Sequence, residues 1–313
     1  MPPGRPVRHV GATPARPAAL TSPVARAAAP VLALGLALGL AGCGAPAGSG
    51  GPSGQAAGGP KVMASFYPLQ WLTQRVAGDA VTVGSLTPKG AEPHDSELEL
   101  SQVSALGQAD LLVTLGGFQA AVDDAVRSNP PREVLDAAPL VQLEDGDPHF
   151  WLDPTRLAEL AAPIAEALGR ADPHGAQGYD SRAAAVAAEL EDLDRELAEG
   201  LAGFQGAVLV TTHAAFRYFA GRYGLETVSV SGVDPEAEPS PARIADVAEQ
   251  LADLPVKTIY FEDQASPKTA EVLAERLDLA TGMLSPLEND ASGDYPDAMR
   301  ANLAELQSGL VAP

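Results

Sequence analysis

Three histidines stand where loop side chains could meet a ligand. His94 and His213 follow predicted strands, and His149 lies between Pro148 and Pro154. In open α/β sheets the loops at the carboxyl ends of the strands line the ligand crevice, so these imidazoles could converge there. Three imidazoles and one carboxylate would bind a divalent metal cation through three nitrogens and one oxygen. Taken singly, each histidine is better explained as a surface residue or a hydrogen-bonded core residue.

The elements that would position these histidines alternate between strand and helix. That alternation predicts an α/β fold with mainly parallel sheets flanked by helices. The helix predicted at 173–201 is unusually long, with leucines at helical spacing. It would join two lobes, 61–172 and 203–313, as a linker at 173–202. The predicted strands are 61–66, 81–86, 110–115, 207–211, 227–230 and 256–261, and the other predicted helices are 69–76, 157–168, 214–223, 241–251, 266–277 and 295–310, with a further helical stretch before Ala109.

The amino-terminal segment has the features of an export signal. Four arginines and no acidic residue precede the short apolar run 31–41, and Cys43, the only cysteine, follows it. The run is too short to span a bilayer, which needs about 20 apolar residues. We therefore expect a signal peptide at 1–42, lipid attachment at Cys43 and a Gly/Pro/Ser-rich flexible tether through 60. The alternative is a signal peptide with an incidental cysteine. Either places the protein outside the cytoplasm.

Composition excludes some partners and requires an ordinary core. The formal net charge of −21 argues against nucleic acid, which needs a basic face. With a single cysteine the chain cannot form an internal disulfide, so packing must stabilise it.

Four segments resemble a known family, the zinc/manganese substrate-binding lipoproteins of bacterial ABC importers. Ser85-Leu-Thr-Pro-Lys-Gly-Ala-Glu-Pro-His-Asp95 resembles the first ligand loop of that family. Asp147-Pro-His-Phe-Trp-Leu-Asp-Pro154 resembles the second, and Val210-Thr-Thr-His-Ala-Ala-Phe-Arg-Tyr-Phe219 the third. The segment from Leu284 through Tyr295 resembles the region that carries the fourth. The resemblance covers essentially residues 61–313 and implies two lobes that clamp one metal ion beside a long connecting helix.

The resemblance also implies the ligands. It assigns His94, His149 and His213, and a fourth ligand at Glu288, with Asp290 as the rival. His174 has no counterpart and is expected to be exposed.

The metal implied is Zn²⁺, because imidazole suits zinc better than manganese. Manganese-binding members of the family tend to carry a carboxylate at the place of His213, so Mn²⁺ is the alternative. No histidine-rich loop precedes the second ligand. We expect carboxylates to fix the imidazole tautomers, and Trp151 and Phe216 to pack in the core. The candidate carboxylates are Glu92, Asp95, Asp153 and Glu262.

The resemblance implies a non-enzymatic receptor, a monomer anchored by lipid, that delivers metal to an ABC permease in the same membrane. Two other functions stay open. An exported zinc metalloenzyme could use three histidines and an open fourth position, although the chain lacks an H-E-x-x-H motif. An adhesin-like surface lipoprotein could hold the metal for structural reasons.

Overall fold

The computed structural model describes residues 59–79, 81–235, 239–262 and 267–313. The predicted signal peptide, Cys43 and nearly all of the predicted tether lie outside the described residues. Within the described ranges, the search for a helix long and apolar enough to cross a membrane finds none.

The amino-terminal lobe is built on a parallel sheet. Its elements are β1 Val62–Ala64, α1 Tyr67–Ala77, β2 Val83–Ser85, α2 Leu100–Leu106, β3 Leu111–Thr114, α3 Ala120–Ser128, β4 Val134–Asp136, α4 Ala138–Val141, α5 Pro154–Ala158 and α6 Ala161–Ala171. The strand order is β2-β1-β3-β4, and all pairs are parallel. Leu111 and Val113 face the main core, whereas Leu112 faces a smaller cluster on the other side. Successive strand residues point to opposite faces, so both faces of this sheet are covered.

The carboxy-terminal lobe repeats this design after the long helix. The elements are α7 Ala176–Leu201, β5 Val208–Thr211, α8 Arg217–Tyr223, β6 Glu226–Ser229, α9 Pro241–Leu251, β7 Thr258–Glu262, α10 Lys268–Leu277, β8 Ala280–Leu284 and α11 Tyr295–Gly309. The strand order β6-β5-β7-β8 matches that of the first sheet, and its pairs are also parallel. In each sheet the chain leaves the first strand for one side and then crosses to the other. The carboxyl ends of the strands at such a crossing form the usual ligand crevice.

Helix α7 runs along both lobes. Its 26 residues span about 39 Å at 1.5 Å per residue. It packs against α1, α5 and α6 of the first lobe and against α8 and α11 of the second. The predicted leucines form its buried face, together with Tyr179, Ala183 and Val186. The leucines are Leu190, Leu193, Leu197 and Leu201.

Several predicted boundaries were wrong. The helix predicted at 157–168 is two helices, because Pro163 has no N–H for the carbonyl of Glu159 and its ring would clash with that turn. The helix predicted from Ala214 begins at Arg217, and the Ala214 amide donates to the carbonyl of Gly232 at 2.9 Å. Elements α3, α4, β4 and β8 were not predicted from the sequence.

Candidate metal centre

Four side chains from different parts of the chain meet between the lobes. His94, His149, His213 and Glu288 each offer one ligand atom, and these atoms lie within 4.8 Å of one another. The centroids of the three imidazole rings are 4.9 to 5.8 Å apart. His94 follows β2 and Glu288 follows β8, while His213 stands two residues beyond the end of β5. Three of the four candidate donors thus come from loops that follow the carboxyl ends of strands, and His149 comes from the loop after α4.

His149 is fully buried and held by Asp147. The Oδ1 atom of Asp147 accepts the main-chain N–H of His149 at 3.0 Å and lies 2.7 Å from its Nδ1. Because a carboxylate only accepts, Nδ1 carries a proton and donates it. The Nε2 atom of His149 is directed at Glu288, with 2.9 Å to Oε1.

Asp147 is a residue that the sequence analysis missed. Its position two residues before a histidine, in an Asp-Pro-His turn, is the signal that could have identified it. Aspartate side chains commonly bond the main chain two residues further on.

His213 lies against a second buried carboxylate. Its Nδ1 atom is 2.8 Å from Oε1 of Glu262, at the end of β7, but the alignment is not that of a hydrogen bond. Both atoms are therefore buried without a hydrogen-bond partner among the described residues. On the other side of the ring, Nε2 donates to the carbonyl of Val233 at 3.2 Å. A small rotation of the ring would pair Nδ1 with Glu262 and free Nε2 for another ligand.

His94 is the most accessible of the three, with 11% of its side chain exposed. Its Nε2 atom lies 3.4 Å from Oε1 of Glu288. Its main-chain N–H donates to Oε1 of Glu92 at 2.8 Å. The ring of Phe118 meets the imidazole edge-on, with centroids 4.7 Å apart.

Buried charge dominates the electrostatics of this cluster. Burial alone would raise the pKa of Glu288, but hydrogen bonds from His149 and His94 lower that pKa well below its usual value. Burial opposes protonation of His149, yet its hydrogen bonds to Asp147 and Glu288 raise its pKa to about 9. Burial and then the charge of Glu288 raise the pKa of Glu92 to about 9. Glu288 is therefore an ionised carboxylate that cations stabilise.

The other candidate residues lie outside the cluster. Asp290 pairs with Lys89, with 3.1 Å between Oδ2 and Nζ. Asp153 caps α5 by accepting the main-chain N–H of Thr155 at 2.9 Å. His174 is exposed, as expected, in the turn before α7.

The remaining predicted neighbours divide between surface and core. Asp95 is exposed, so it lies in solvent rather than against an imidazole. Trp151 and Phe216 are buried in the core, as predicted. The indole N–H of Trp151 donates to the carbonyl of Pro286 at 2.8 Å, which ties the second ligand loop to the loop that carries Glu288.

This donor set is suited to a borderline divalent cation. Neutral imidazoles are good ligands for zinc, copper, iron and nickel, and one carboxylate offsets part of the charge of the ion. The cluster is buried, so a bound ion would lose most of its water and take donors from the protein instead.

Comparison with known proteins agrees with this geometry. Residues 62–309 match the family model described as zinc-uptake complex component A, periplasmic, or ZnuA. The chain belongs to the ZnuA family. Members of the ZnuA family are metal-binding receptors of transporters rather than enzymes.

Similar proteins include zinc-binding lipoproteins. The zinc-binding lipoprotein AdcA of Streptococcus pneumoniae is 31% identical over 281 residues, which cover 81% of this chain and 56% of AdcA. The chain thus spans little more than half the length of that relative. The high-affinity zinc uptake system protein ZnuA of Bacillus subtilis is 29% identical over 80% of this chain and 87% of its own length.

Solved structures of the ZnuA type share the fold. The Zn(II)-bound ZnuA-like domain of S. pneumoniae AdcA has a TM-score of 0.70 at 33% identity, over 80% of this chain and 99% of that one. The laminin-binding protein Lmb of Streptococcus agalactiae has a TM-score of 0.75 at 34% identity, again over 80% and 99%. These likenesses confirm the predicted fold class of two parallel-sheet lobes with a long helix.

Proposed function

We propose that this protein is an extracytoplasmic receptor that captures one Zn²⁺ ion between its lobes and delivers it to an ABC importer. The convergence of His94, His149, His213 and Glu288, two on loops of each lobe, is the observation that supports this most directly. A cation bound by donors from both lobes would hold the lobes together. Membership of the ZnuA family supports the transport role.

The donor set favours Zn²⁺ over Mn²⁺ as the transported ion. Manganese prefers carboxylate, carbonyl and water oxygens, whereas zinc accepts imidazole nitrogens readily. Here three imidazoles and a single carboxylate face one another. The zinc-binding names of the relatives point the same way.

The chain would work on the outer side of a membrane. Export through a signal peptide at 1–42 and lipid attachment at Cys43 would anchor it, and a tether through residue 60 would let it reach the permease. The folded part would then be divided into lobes 61–172 and 203–313, with the linker 173–202 containing α7. We propose that it acts as a monomer.

Catalysis is less well supported than capture. A catalytic zinc site keeps an open position for water, whereas a closed set of four protein donors holds the ion. Glu288 is buried and lies next to all three imidazoles, with Oε1 between 2.9 and 4.0 Å from each Nε2 atom. It would fill the fourth position.

Adhesion is a second candidate function. The observation that favours it is the similarity to Lmb of S. agalactiae, which is described as a bifunctional protein with adhesin and metal-transporting activity. Immobilised laminin should retain the protein if this candidate is right, and should fail to do so if the chain serves transport alone.

A competition titration tests the transport proposal. Metal-free full-length protein should bind one equivalent of Zn²⁺ tightly, and excess Mn²⁺ should not displace it. His213→Ala should weaken zinc binding strongly, whereas the exposed control His174→Ala should not. Tight binding of Mn²⁺, or equal effects of the two substitutions, would refute the assignment.

A further inference from the structure

We infer that Gln119, at the beginning of α3, is the positioning residue for His94. Its side-chain amide fixes the loop that carries this imidazole, and so sets where the most accessible of the three ring donors stands. The inference rests on the proposed zinc site and adds to it a residue outside the donor cluster.

The contacts of Gln119 join the two ends of the loop. Its side chain is buried, with 2% of the residue exposed. The Nε2 atom donates to Oγ1 of Thr87 at 2.9 Å and to the carbonyl of Pro93 at 3.3 Å. Thr87 begins the loop after β2, and Pro93 directly precedes His94. The side-chain NH₂ group of Gln119 therefore connects Thr87, near the start of the loop, with Pro93, the residue before His94.

The chemistry of the partners fixes the orientation of this amide. The hydroxyl of Thr87 donates its own proton to the carbonyl of Ser65 at 2.8 Å, so its oxygen is left to accept. The carbonyl of Pro93 can only accept. Both partners thus require an N–H donor, and the NH₂ end of Gln119 must face them. The Oε1 atom of Gln119 is buried without a hydrogen-bond partner in the described chain.

His94 differs from the other two histidines in having no carboxylate beside its Nδ1 atom. Asp147 lies at Nδ1 of His149 and Glu262 at Nδ1 of His213. The described residues offer Nδ1 of His94 no hydrogen-bond partner. Its ring contacts Phe118 and, through Nε2, Glu288, while the position of its main chain depends on the loop. Orientation of a metal-binding imidazole normally comes from a hydrogen bond to the ring, so here the tether of the loop takes over that task.

The unpaired oxygen of Gln119 makes a decisive substitution possible. A buried carbonyl without a partner disfavours folding. Gln119→Met keeps an unbranched side chain of similar length, removes both hydrogen bonds and also removes the unpaired oxygen. Losing the unpaired oxygen offsets part of the cost of leaving the Pro93 carbonyl without a donor, so thermal stability should fall only modestly. The main effect should be greater mobility of the loop that carries His94, because its two hydrogen bonds to Gln119 are gone.

Zinc titration of the full-length protein, with a double-mutant cycle, is the test. Gln119→Met should weaken zinc binding about tenfold, the size expected for two hydrogen bonds that hold a ligand in place. In a His94→Ala background the same substitution should cause no further loss, because the residue it positions is gone. A merely structural role would weaken binding equally in both backgrounds.

Gln74 provides a matched control in the same lobe. Its Nε2 atom donates to the carbonyls of Gly78 and Val81, at 2.9 and 2.8 Å, near the start of β2 rather than after its end. Its Oε1 atom also accepts the main-chain N–H of Val83 at 2.9 Å, so Gln74→Met removes more main-chain bonds than Gln119→Met does, but none to the loop of His94. It should leave zinc affinity unchanged.

Amide exchange on the metal-free protein separates this inference from the proposed function. Segment 89–96 should exchange faster in Gln119→Met, or in Gln119→Glu if the methionine variant does not fold. Wild-type protein that binds no zinc would overturn the proposed function, and unchanged exchange would overturn the positioning role by itself. Wild-type protein that binds zinc while Gln119→Met binds equally well would overturn the positioning role alone.

Discussion

Glu288 is the residue through which the candidate donors meet. Its Oε1 atom lies 2.9 Å from Nε2 of His149, 3.4 Å from that of His94 and 4.0 Å from that of His213. Hydrogen bonds to imidazoles keep this buried carboxylate ionised by lowering its pKa. A divalent cation would satisfy the same charge more completely.

The two candidate fourth ligands can be separated by substitution. Glu288→Gln should weaken zinc binding by at least about tenfold, since it removes the only carboxylate charge in the donor set. Asp290→Asn should leave affinity close to that of the wild type, because Asp290 pairs with Lys89 outside the cluster. Isothermal titration measures both. A larger loss with Asp290→Asn would move the fourth ligand to that residue.

Asp147 should matter almost as much as a ligand. Asp147→Ala removes the acceptor that fixes the Nδ1 proton of His149, and such losses typically weaken metal binding 10–100-fold. The matched control is Asp145→Asn, since Asp145 is exposed, pairs with Arg217 at the surface and has a positive φ that asparagine tolerates. Zinc titration of the two variants should differ clearly. Equal affinities would show that the contact does not orient His149.

The sequence indicated the candidate imidazole ligands better than the residues that contact and orient them. Their positions after strands made His94 and His213 candidates, and the family resemblance then implied them as ligands together with His149. Asp147 and Gln119 act through short turns and through contacts between distant segments. Local sequence patterns do not reveal such contacts. Asp153, predicted as a candidate to hold an imidazole, caps helix α5 instead.

At the scale of elements, α7 carries one buried charge among its apolar residues. Asp194 accepts two hydrogen bonds from Arg222 on α8, at 2.7 and 2.5 Å, and one from Tyr223 at 3.1 Å. Removing one partner of a buried ion pair leaves the other charge uncompensated. This network joins the long helix to the carboxy-terminal lobe.

Arg222→Ala should therefore destabilise the protein by about 2 kcal/mol, less than for a fully buried pair because the arginine is partly exposed. Arg195→Ala is the control, because Arg195 pairs with Asp192 on the exposed face of the same helix. Its cost should stay within about 0.5 kcal/mol. Urea unfolding measures both, and equal midpoints would show that the Asp194 network adds nothing.

Elements with a strong local pattern could be predicted, and those that depend on pairing could not. Strand β3 and helix α9 stand out by apolar content or by helical spacing. Strand β8 contains Gly282 and few β-branched residues, and it becomes a strand because it pairs with β7 from Thr258 to Glu262. The helix predicted at 157–168 is interrupted before Pro163, because the spacing of apolar residues does not take account of a proline.

At the scale of the whole molecule, hydrogen bonds from buried aromatic side chains join the lobes. The Tyr218 hydroxyl donates to the carbonyl of Asp147 at 2.9 Å. The indole of Trp71 donates to Asp294 at 2.7 Å, and the Tyr295 hydroxyl donates to the carbonyl of Trp151 at 2.5 Å. With α7 packed against both lobes, these bonds oppose a wide hinge motion. Sharp bending inside a helix needs a proline or a bulge, and α7 has no proline.

Metal binding should therefore change the overall dimensions little. Small-angle scattering of metal-free and zinc-loaded protein should give the same radius of gyration within error. Faster or slower amide exchange should be confined to the loops that carry the donors. A fall in the radius of gyration of several ångströms, with exchange changes centred on α7, would refute the rigid arrangement.

X-ray absorption at the zinc edge, on full-length protein loaded with one equivalent, reports directly on the atoms that bind the ion. We expect three imidazole nitrogens and one oxygen at about 2.0–2.1 Å, with the multiple scattering typical of histidine rings. Substituting the proposed ligands should remove these scatterers one at a time. A shell of five or six oxygens without imidazole scattering would contradict the assignment of His94, His149, His213 and Glu288.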